Sequence, residues 1–410
     1  MRSVIEQLIS PLTLRRCVLP SRVIRSATYE GMADADGVPH QMLARCYLDI
    51  VGEKAGTIIT GFCAVSPEGR AMHPGQAAIW DDAYIQPWRE IVNAVRRQSP
   101  QTRLFMQIAH AGRQTLRRVT GLPVKGAGTK RCTYFRQAAR PMDGGDIQRA
   151  VADYAAAGKR AQEAGFDGVQ IHAAHGYLIH QFLSPHTNKR TDAYRDNGRF
   201  LEECVRAVRE ACGPDFPLLI KVCWADDRGL VPGHVIPALR RVERELDAVE
   251  VSYGTMEYAL NIIRGGCPVE VLLAVNPLFS GIPDIFKTLW RRVVYPLKRG
   301  QFKAFTHGYN IGGAERLRDA LTIPVIPVGG IHSLEDMRDC LARGFPALAL
   351  CRPFVAEPDL MARLAGGAWS RSHCSACNLC TIHCDSVIPL RCHGRRKTAY
   401  PSQSGGYYAI

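Results

Sequence analysis

Eight short runs along this chain are predominantly apolar, without a regular polar face: 23–27, 57–63, 104–108, 168–172, 218–222, 248–251, 325–328 and 347–350. Strands that are apolar on both faces belong to a sheet covered on both sides, as a parallel sheet is by its crossover helices. Stretches of helical periodicity fall between them. In 146–164 the spaced apolar positions are Ile147, Val151, Tyr154, Ala155 and Ala161; in 199–212 they are Phe200, Cys204, Val205 and Val208. Eight such units predict the α/β class and a (β/α)8 TIM barrel rather than an open sheet. No Gly-x-Gly-x-x-Gly opens a helix after the first run, which argues against a doubly wound dinucleotide-binding sheet.

The pattern breaks twice. Segment 254–306 is too long for an ordinary connection, and its Phe279, Phe286, Trp290, Tyr295 and Phe302 predict an ordered lid. Beyond Gly367 the strand–helix alternation stops and cysteines crowd together. The expected organisation is a barrel over 1–367 with its lid at 254–306, then a small cysteine-rich module over 368–410. From about Arg395 onward no ordered structure is expected.

Composition changes this picture little: 46% hydrophobic and 22% charged residues over 410 positions suit a globular protein with a large core. No run approaches the roughly 18 apolar residues of a membrane span. Residues 1–25 contain no apolar stretch of signal-peptide length, so a cytoplasmic protein with no membrane partner is expected. Charge adds more. The net +14 is concentrated in two acid-free segments, one with Arg113, Arg117, Arg118, Lys125, Lys130, Arg131, Arg136 and Arg140, the other with Lys287, Arg291, Arg292, Lys298, Arg299 and Lys303. A nucleic-acid binder would carry its bases as a stripe beside aromatics along one face; the excess here sits in these two segments instead. On a barrel both segments follow strands and border the mouth, either as solvated faces or as an attractor for an anionic small-molecule substrate or dinucleotide.

The candidate chemistry starts at His172-Ala173-Ala174-His175-Gly176-Tyr177-Leu178-Ile179-His180, just past the fourth apolar run. Titratable groups clustered at the C-terminal end of a buried strand are costly to place and mark a site. Gly329-Gly330 follows the seventh run and Cys351-Arg352 the eighth, where backbone N–H groups and a guanidinium suit a phosphate. Gln107 and Lys221 interrupt apolar runs. A lysine there needs a partner, and the pyrimidine edge of a flavin is one.

In order, Ala27-Thr28-Tyr29, Gln107-Ile108-Ala109-His110-Ala111-Gly112-Arg113, the His172–Tyr177 block, Gln181-Phe182-Leu183-Ser184-Pro185 and Asn188-Lys189-Arg190-Thr191-Asp192 resemble the old yellow enzyme family of FMN-dependent barrels. The likeness continues through Glu250-Val251-Ser252, Gly329-Gly330 and Arg352-Pro353. It implies that His172 and His175 hold a substrate carbonyl oxygen, and that Tyr177 supplies a proton on the face opposite the hydride. It also implies FMN contacts from Ala27, Thr28, Gln107, Lys221, Gly329, Gly330, Cys351 and Arg352, with NAD(P)H as cosubstrate. His180 reads as structural.

Of the 15 cysteines, those scattered through the barrel read as small buried hydrophobes in a reducing compartment. Cys374, Cys377, Cys380 and Cys392 resemble the iron–sulfur motif of the family branch that includes 2,4-dienoyl-CoA reductase and trimethylamine dehydrogenase, which implies a 4Fe–4S cluster. Cys384 is an alternative to Cys392. Four thiolates also suit zinc, and a short tail can keep its cysteines without a metal.

The function expected is reduction of an activated C=C bond, in an enone or enoyl thioester, by NAD(P)H through FMN. One alternative is dehydrogenation of an amine or alicyclic substrate, electrons leaving through the cluster to a partner protein. A non-catalytic flavin- or metal-binding protein is another. The residues leave open NADH against NADPH and whether the chain forms a homo-oligomer.

Overall fold

In the computed structural model, which describes residues 2–51, 56–73 and 75–394, eight parallel strands run around a barrel in sequence order. They are β1 (Val23–Arg25), β2 (Thr57–Ile59), β3 (Arg103–Ala109), β4 (Gly168–Ala173), β5 (Leu218–Cys223), β6 (Ala248–Ser252), β7 (Val325–Pro327) and β8 (Leu348–Leu350). Strand β8 pairs with β1, Leu348 opposite Val23, and a Val328–Ala349 bridge joins β7 to β8 and closes the ring. The expected stretch from Arg395 lies outside the described residues.

A helix follows each strand: α1 (Gln41–Val51), α2 (Ile85–Gln98), α3 (Gly144–Glu163), α4 (Arg199–Cys212), α5 (Pro232–Arg240), α6 (Ile311–Arg318), α7 (Leu334–Ala342) and α8 (Leu360–Ala365). Helix α3 starts earlier than its apolar periodicity indicates. Asp143 accepts from the Asp146 N–H while the Asp146 side chain accepts from the Asp143 N–H, a reciprocal cap that satisfies two otherwise orphaned donors. Helix faces meet the outside of the strands through Trp88, Tyr154, Phe200 and their neighbours. Inside the ring, Ile24, Ile59, Phe105, Leu219, Ala248 and Ile326 fill the lower barrel, closed below by the hairpin Leu12–Thr13/Val18–Leu19. Each large side chain buried there contributes roughly 1.5–3 kcal/mol, so this end is a packed plug and the opening lies at the other.

One expected strand is broken. The run 57–63 forms β2 and a separate two-residue strand, Cys63–Ala64. Between them the Gly61 N–H bonds the Glu30 carboxylate at 3.0 Å, and the Thr60 hydroxyl accepts from the Gln107 N–H, so neither group serves a regular ladder. The bend turns Phe62 into the barrel mouth.

The lid, 254–306, consists of short helical pieces, the longest a continuous run from Asp284 to Gln301. The described part of the cysteine-rich module folds back across the same mouth. Among the described residues no helix is long and apolar enough to cross a membrane.

Candidate active site

The floor of the mouth is a chain of buried polar groups spanning five strands or their ends. Lys221 of β5 faces Glu250 of β6 in register, with Nζ 2.9 Å from Oε1. Ser26, just after β1, donates to the same oxygen at 2.6 Å and accepts from Lys221 at 2.9 Å. On the other side Gln170 Nε2 donates to Glu250 Oε2 at 2.8 Å, and Gln107 Nε2 donates to Gln170 Oε1 at 2.6 Å. A carboxylate only accepts, so Glu250 orients the amide of Gln170 and, through it, that of Gln107. Lys221 thus already has a protein partner, which its sequence context does not show.

Above this floor, β4 carries His172 as its penultimate residue, and the chain turns through His175 (φ 59°) and Gly176 (φ 80°). A left-handed non-glycine residue costs roughly 1–2 kcal/mol, and here it seats the His175 ring against Ser252, with Nε2 and Oγ 2.8 Å apart. The rings of His172 and His175 lie 5.1 Å apart, and that of Tyr177 lies 4.9 Å from His172. The Nδ1 atom of His172 is buried with no partner among the described residues. Burial, reinforced by nearby cations including Lys221, holds both imidazoles well below the usual histidine pKa, so they are neutral at pH 7. Burial also pushes the Tyr177 phenol up, aided by the negative charge of Asp385, and keeps its proton on. His180 turns away and bonds Asp226 at 3.0 Å, a buried structural pair.

Apart from Tyr29, the far wall comes from residues that no motif announces. Phe62 packs 5.3 Å from Tyr177 and 5.7 Å from Tyr29, whose buried hydroxyl has no partner among the described residues. His73 stacks 4.9 Å from Tyr29, and its Nδ1 lies 2.9 Å from Asp385. Asp385 also accepts from Tyr134 and from the lid residue Asn276, each at 2.7 Å. The only available signal for Asp385 was its place in the cysteine tail, which points to metal chemistry instead.

All eleven residues proposed from sequence for catalysis and FMN line one cavity of about 760 Å³: Ala27, Thr28, Gln107, His172, His175, Tyr177, Lys221, Gly329, Gly330, Cys351 and Arg352. Both basic segments reach it, through Arg136 and Lys298. Gly329 (φ 117°) and Gly330 (φ 80°) admit no side chain, because a Cβ on Gly330 would lie 2.6 Å from the Gly308 nitrogen. Arg352 is turned partly away from its expected role. It donates to the lid carbonyls of Ile263 (2.6 Å) and Arg264 (3.0 Å) and to Asn378 of the module (2.7 Å).

The cluster expected from the cysteine spacing is not shown. Among the described residues no group of three or more His, Cys, Asp or Glu side chains stands in a metal-holding arrangement, and Cys374, Cys377, Cys380 and Cys392 are not exceptions. The thiols of Cys377 and Cys392 flank Gly394, Cys374 lies near both of them and near Cys380, and Cys380 also neighbours Cys351. Between Cys377 and Cys380, Asn378 adopts a left-handed conformation (φ 63°) and is tied to Arg352 and the Gly266 carbonyl. Cys384 faces the cavity instead.

A model of the NADH:flavin oxidoreductase / NADH oxidase family matches residues 7–230. A 4,4'-dithiodibutanoate disulfide reductase from Rhodococcus erythropolis is 26% identical over 91% of this chain and 90% of its own length. An NADPH dehydrogenase from Bacillus subtilis (strain 168) is 31% identical over 63% of this chain and 77% of its own. An NADH oxidase from Thermoanaerobacter brockii is 27% identical over 88% of this chain, which spans only 51% of that protein. Among solved structures, the old yellow enzyme homologue from Zymomonas mobilis superposes with a TM-score of 0.69 at 23% identity, over 90% of this chain and 95% of that one. A 2-naphthoyl-CoA reductase superposes at 0.78 and 19% identity, over 95% of this chain and 56% of that one; these two likenesses speak to the fold. With its family matched over more than half its length, the chain belongs to the NADH:flavin oxidoreductase / NADH oxidase family, the old yellow enzyme family, and is an FMN-dependent NAD(P)H oxidoreductase.

Proposed function

We propose that this oxidoreductase reduces an activated C=C bond, as in an enone or enoyl thioester, at the expense of NAD(P)H. The observation that carries the reading is the meeting of two neutral imidazoles, 5.1 Å apart, with a protonated phenol 4.9 Å from the first. The cavity suits FMN: its volume lies within the roughly 300–1,000 Å³ of ligand clefts, His172 offers an unpartnered buried nitrogen, and the Gly329–Gly330 turn brings bare backbone to the cavity wall. Gln107 and Lys221 would hold its pyrimidine edge, Ala27, Thr28 and Cys351 would line it, and Gly329, Gly330 and Arg352 would stand at its phosphate. When bound, FMN supplies the hydride.

The remaining work falls to this chain's side chains. His172 and His175 donate to the substrate carbonyl oxygen, where negative charge grows as the alkene is attacked. Ser252 fixes the His175 ring, and Phe62, Tyr29 and the module exclude water. Tyr177 gives its proton to the α-carbon. With enone and NAD(P)H under anaerobic conditions, Tyr177→Phe is expected to lower alkene reduction by about 10²–10⁴-fold, while bleaching of the flavin by NAD(P)H persists. If no enone or enoyl thioester is reduced, or Tyr177→Phe changes nothing, the reading fails.

The near full-length similarity to the R. erythropolis enzyme favours a second reading, reduction of an anionic organic disulfide. There NAD(P)H and one proton convert the S–S bond to two thiols, and Arg136, Arg228 and Lys298 on the cavity wall would meet carboxylates. Turnover of 4,4'-dithiodibutanoate at a higher kcat/KM than any enone would select it. No observation of the described residues favours the amine-dehydrogenase alternative or a separate electron acceptor. A cytoplasmic setting is supported by 15 cysteines that all stand free of disulfides.

A further inference from the structure

The lid presents two faces, of which the proposed chemistry uses one. From Asp284 to Gln301 the chain forms a single helical rod: an α-helical start at Asp284–Leu289, a wide π turn at Trp290–Val294, then Tyr295–Lys298 and Arg299–Gln301. Pro296 has no N–H to continue the ladder, which is the local reason for the wide turn. Trp290, Lys298 and Gln301 of this rod border the cavity. Ile285, Phe286, Leu289, Val293 and Leu297 do not. At roughly 100° per residue Ile285, Phe286 and Leu289, all before the wide turn, fall within one arc of about 100°, the width of an apolar helix face that normally packs on a core. Among the described residues little covers the stripe: Ile285 is 74% exposed, Leu289 56% and Leu297 80%.

Cations frame the stripe. Lys287 is paired with Asp284, Arg291 with Glu270 and Lys303 with Asp227. Arg292, Lys298 and Arg299 have no ion pair among the described residues. Bulky apolar residues along one side of a helix, flanked by unpaired cations, form the arrangement that lies in the interface of an anionic bilayer.

We infer that this lid face docks the protein on the surface of an anionic lipid membrane, with the active-site cavity opening beside the bound helix. A second copy of the chain is the competing occupant, and charge disfavours it. An isologous pair would set Arg292 and Arg299 of one copy against the same face of the other, on a chain of net charge +14. The absence of a spanning helix is no obstacle, because the rod lies on the membrane rather than through it. The sequence expectation of no membrane partner rested on the lack of a spanning run and of a signal-peptide-like stretch, neither of which bears on a surface-lying helix.

The test is co-sedimentation of the flavin-loaded full chain with vesicles of phosphatidylglycerol and phosphatidylcholine, against pure phosphatidylcholine, in about 0.1 M salt. Binding to the anionic vesicles is expected, weakening as salt rises and screening shortens. Phe286→Glu and Leu289→Glu should each lower it at least tenfold. Arg292→Glu combined with Arg299→Glu should lower it by about 25-fold or more, at roughly fivefold per cation. Because neither Phe286 nor Leu289 borders the cavity, NAD(P)H oxidation with a water-soluble acceptor should survive both changes and certify their fold. Failure to pellet with anionic vesicles overturns the inference. So does a wild-type dimer in light scattering that Leu289→Glu dissolves. Neither result touches the reading of the cavity's chemistry.

Discussion

Glu250→Gln removes one charge from the barrel floor and changes almost no volume, so it isolates the electrostatics of the site. Lys221 and Glu250 are both buried, 5% and 2% exposed, and stand 2.9 Å apart. At an effective dielectric of about 20 their attraction is ~6 kcal/mol before the cost of desolvating both. Surface pairs, worth at most about 1 kcal/mol, are the wrong comparison. In the variant, the Lys221 ammonium stays buried without a counter-charge, and Gln170 loses the acceptor that fixes its amide. The expected cost is about 3–5 kcal/mol. Lys221→Met should cost a similar amount by stranding Glu250, whereas the double variant Lys221→Met/Glu250→Gln strands no charge. Its cost should fall short of the sum of the singles by at least ~2 kcal/mol, the signature of a coupled pair. Urea unfolding of the three variants and the wild type, run at two fixed FMN concentrations to remove the linkage of flavin binding to stability, reads the coupling. A cost below about 1 kcal/mol for Glu250→Gln, or strictly additive singles, would refute the account of the floor as one polarised network.

The buried imidazoles make acid stability a second test. His110 and His332 are held at about 3, and His172 and His175 well below the usual value, each chiefly by burial. Because these folded-state pKa values lie below the unfolded value of about 6.5, the unfolded chain binds more protons below that pH. Stability should therefore hold above pH ~6.5 and fall as the solution is acidified, each imidazole contributing up to about 1.4 kcal/mol per pH unit; flat urea midpoints from pH 7 to 5 would contradict this. Gly330→Ala forces a Cβ to within 2.6 Å of the Gly308 nitrogen at φ 80°, so a loss of more than about 1–2 kcal/mol and a weaker hold on FMN are expected; unchanged melting and flavin content would show that the turn relaxes freely. Asp385→Ala strips the acceptor from Tyr134 and Asn276, and tryptic cleavage at Arg391 should accelerate at least tenfold, as expected for a local opening made easier by about 1.4 kcal/mol.

The barrel was legible because a doubly covered strand has no polar face, so each of the eight runs stands out against its neighbours. Where a strand does more than pair, the legibility failed: Thr60 and Gly61 look like ordinary strand residues, and only the Glu30 carboxylate, far off in sequence, explains the break that aims Phe62. Within the site, His172, His175 and Tyr177 were legible because one turn carries all three. The partner of Lys221 was not, because the pairing of Lys221 with Glu250 is set by strand register. The cysteines say less for a related reason: spacing along a chain does not fix where each thiol points, and the left-handed Asn378, bonded to Arg352, intervenes between Cys377 and Cys380.

Placement also gives the module a role that does not depend on its thiols. Asn378 is bonded to Arg352 after β8, and the Leu390 N–H donates to the Glu30 carbonyl after β1 at 2.7 Å. Asp385 reaches His73 after β2, Tyr134 after β3 and Asn276 after β6. One short stretch therefore touches the C-terminal loops of five strands, including both sides of the β8–β1 seam where the barrel closes. The lid enters the same bonds, through Asn276 and through the Ile263 and Arg264 carbonyls that take up Arg352. Lid and module are thus joined at three places: at Asp385, at Arg352, and directly where Asn378 donates to the Gly266 carbonyl and the Gly266 N–H donates to the Ala376 carbonyl, each at 2.9 Å, so that no single side chain holds the mouth closed.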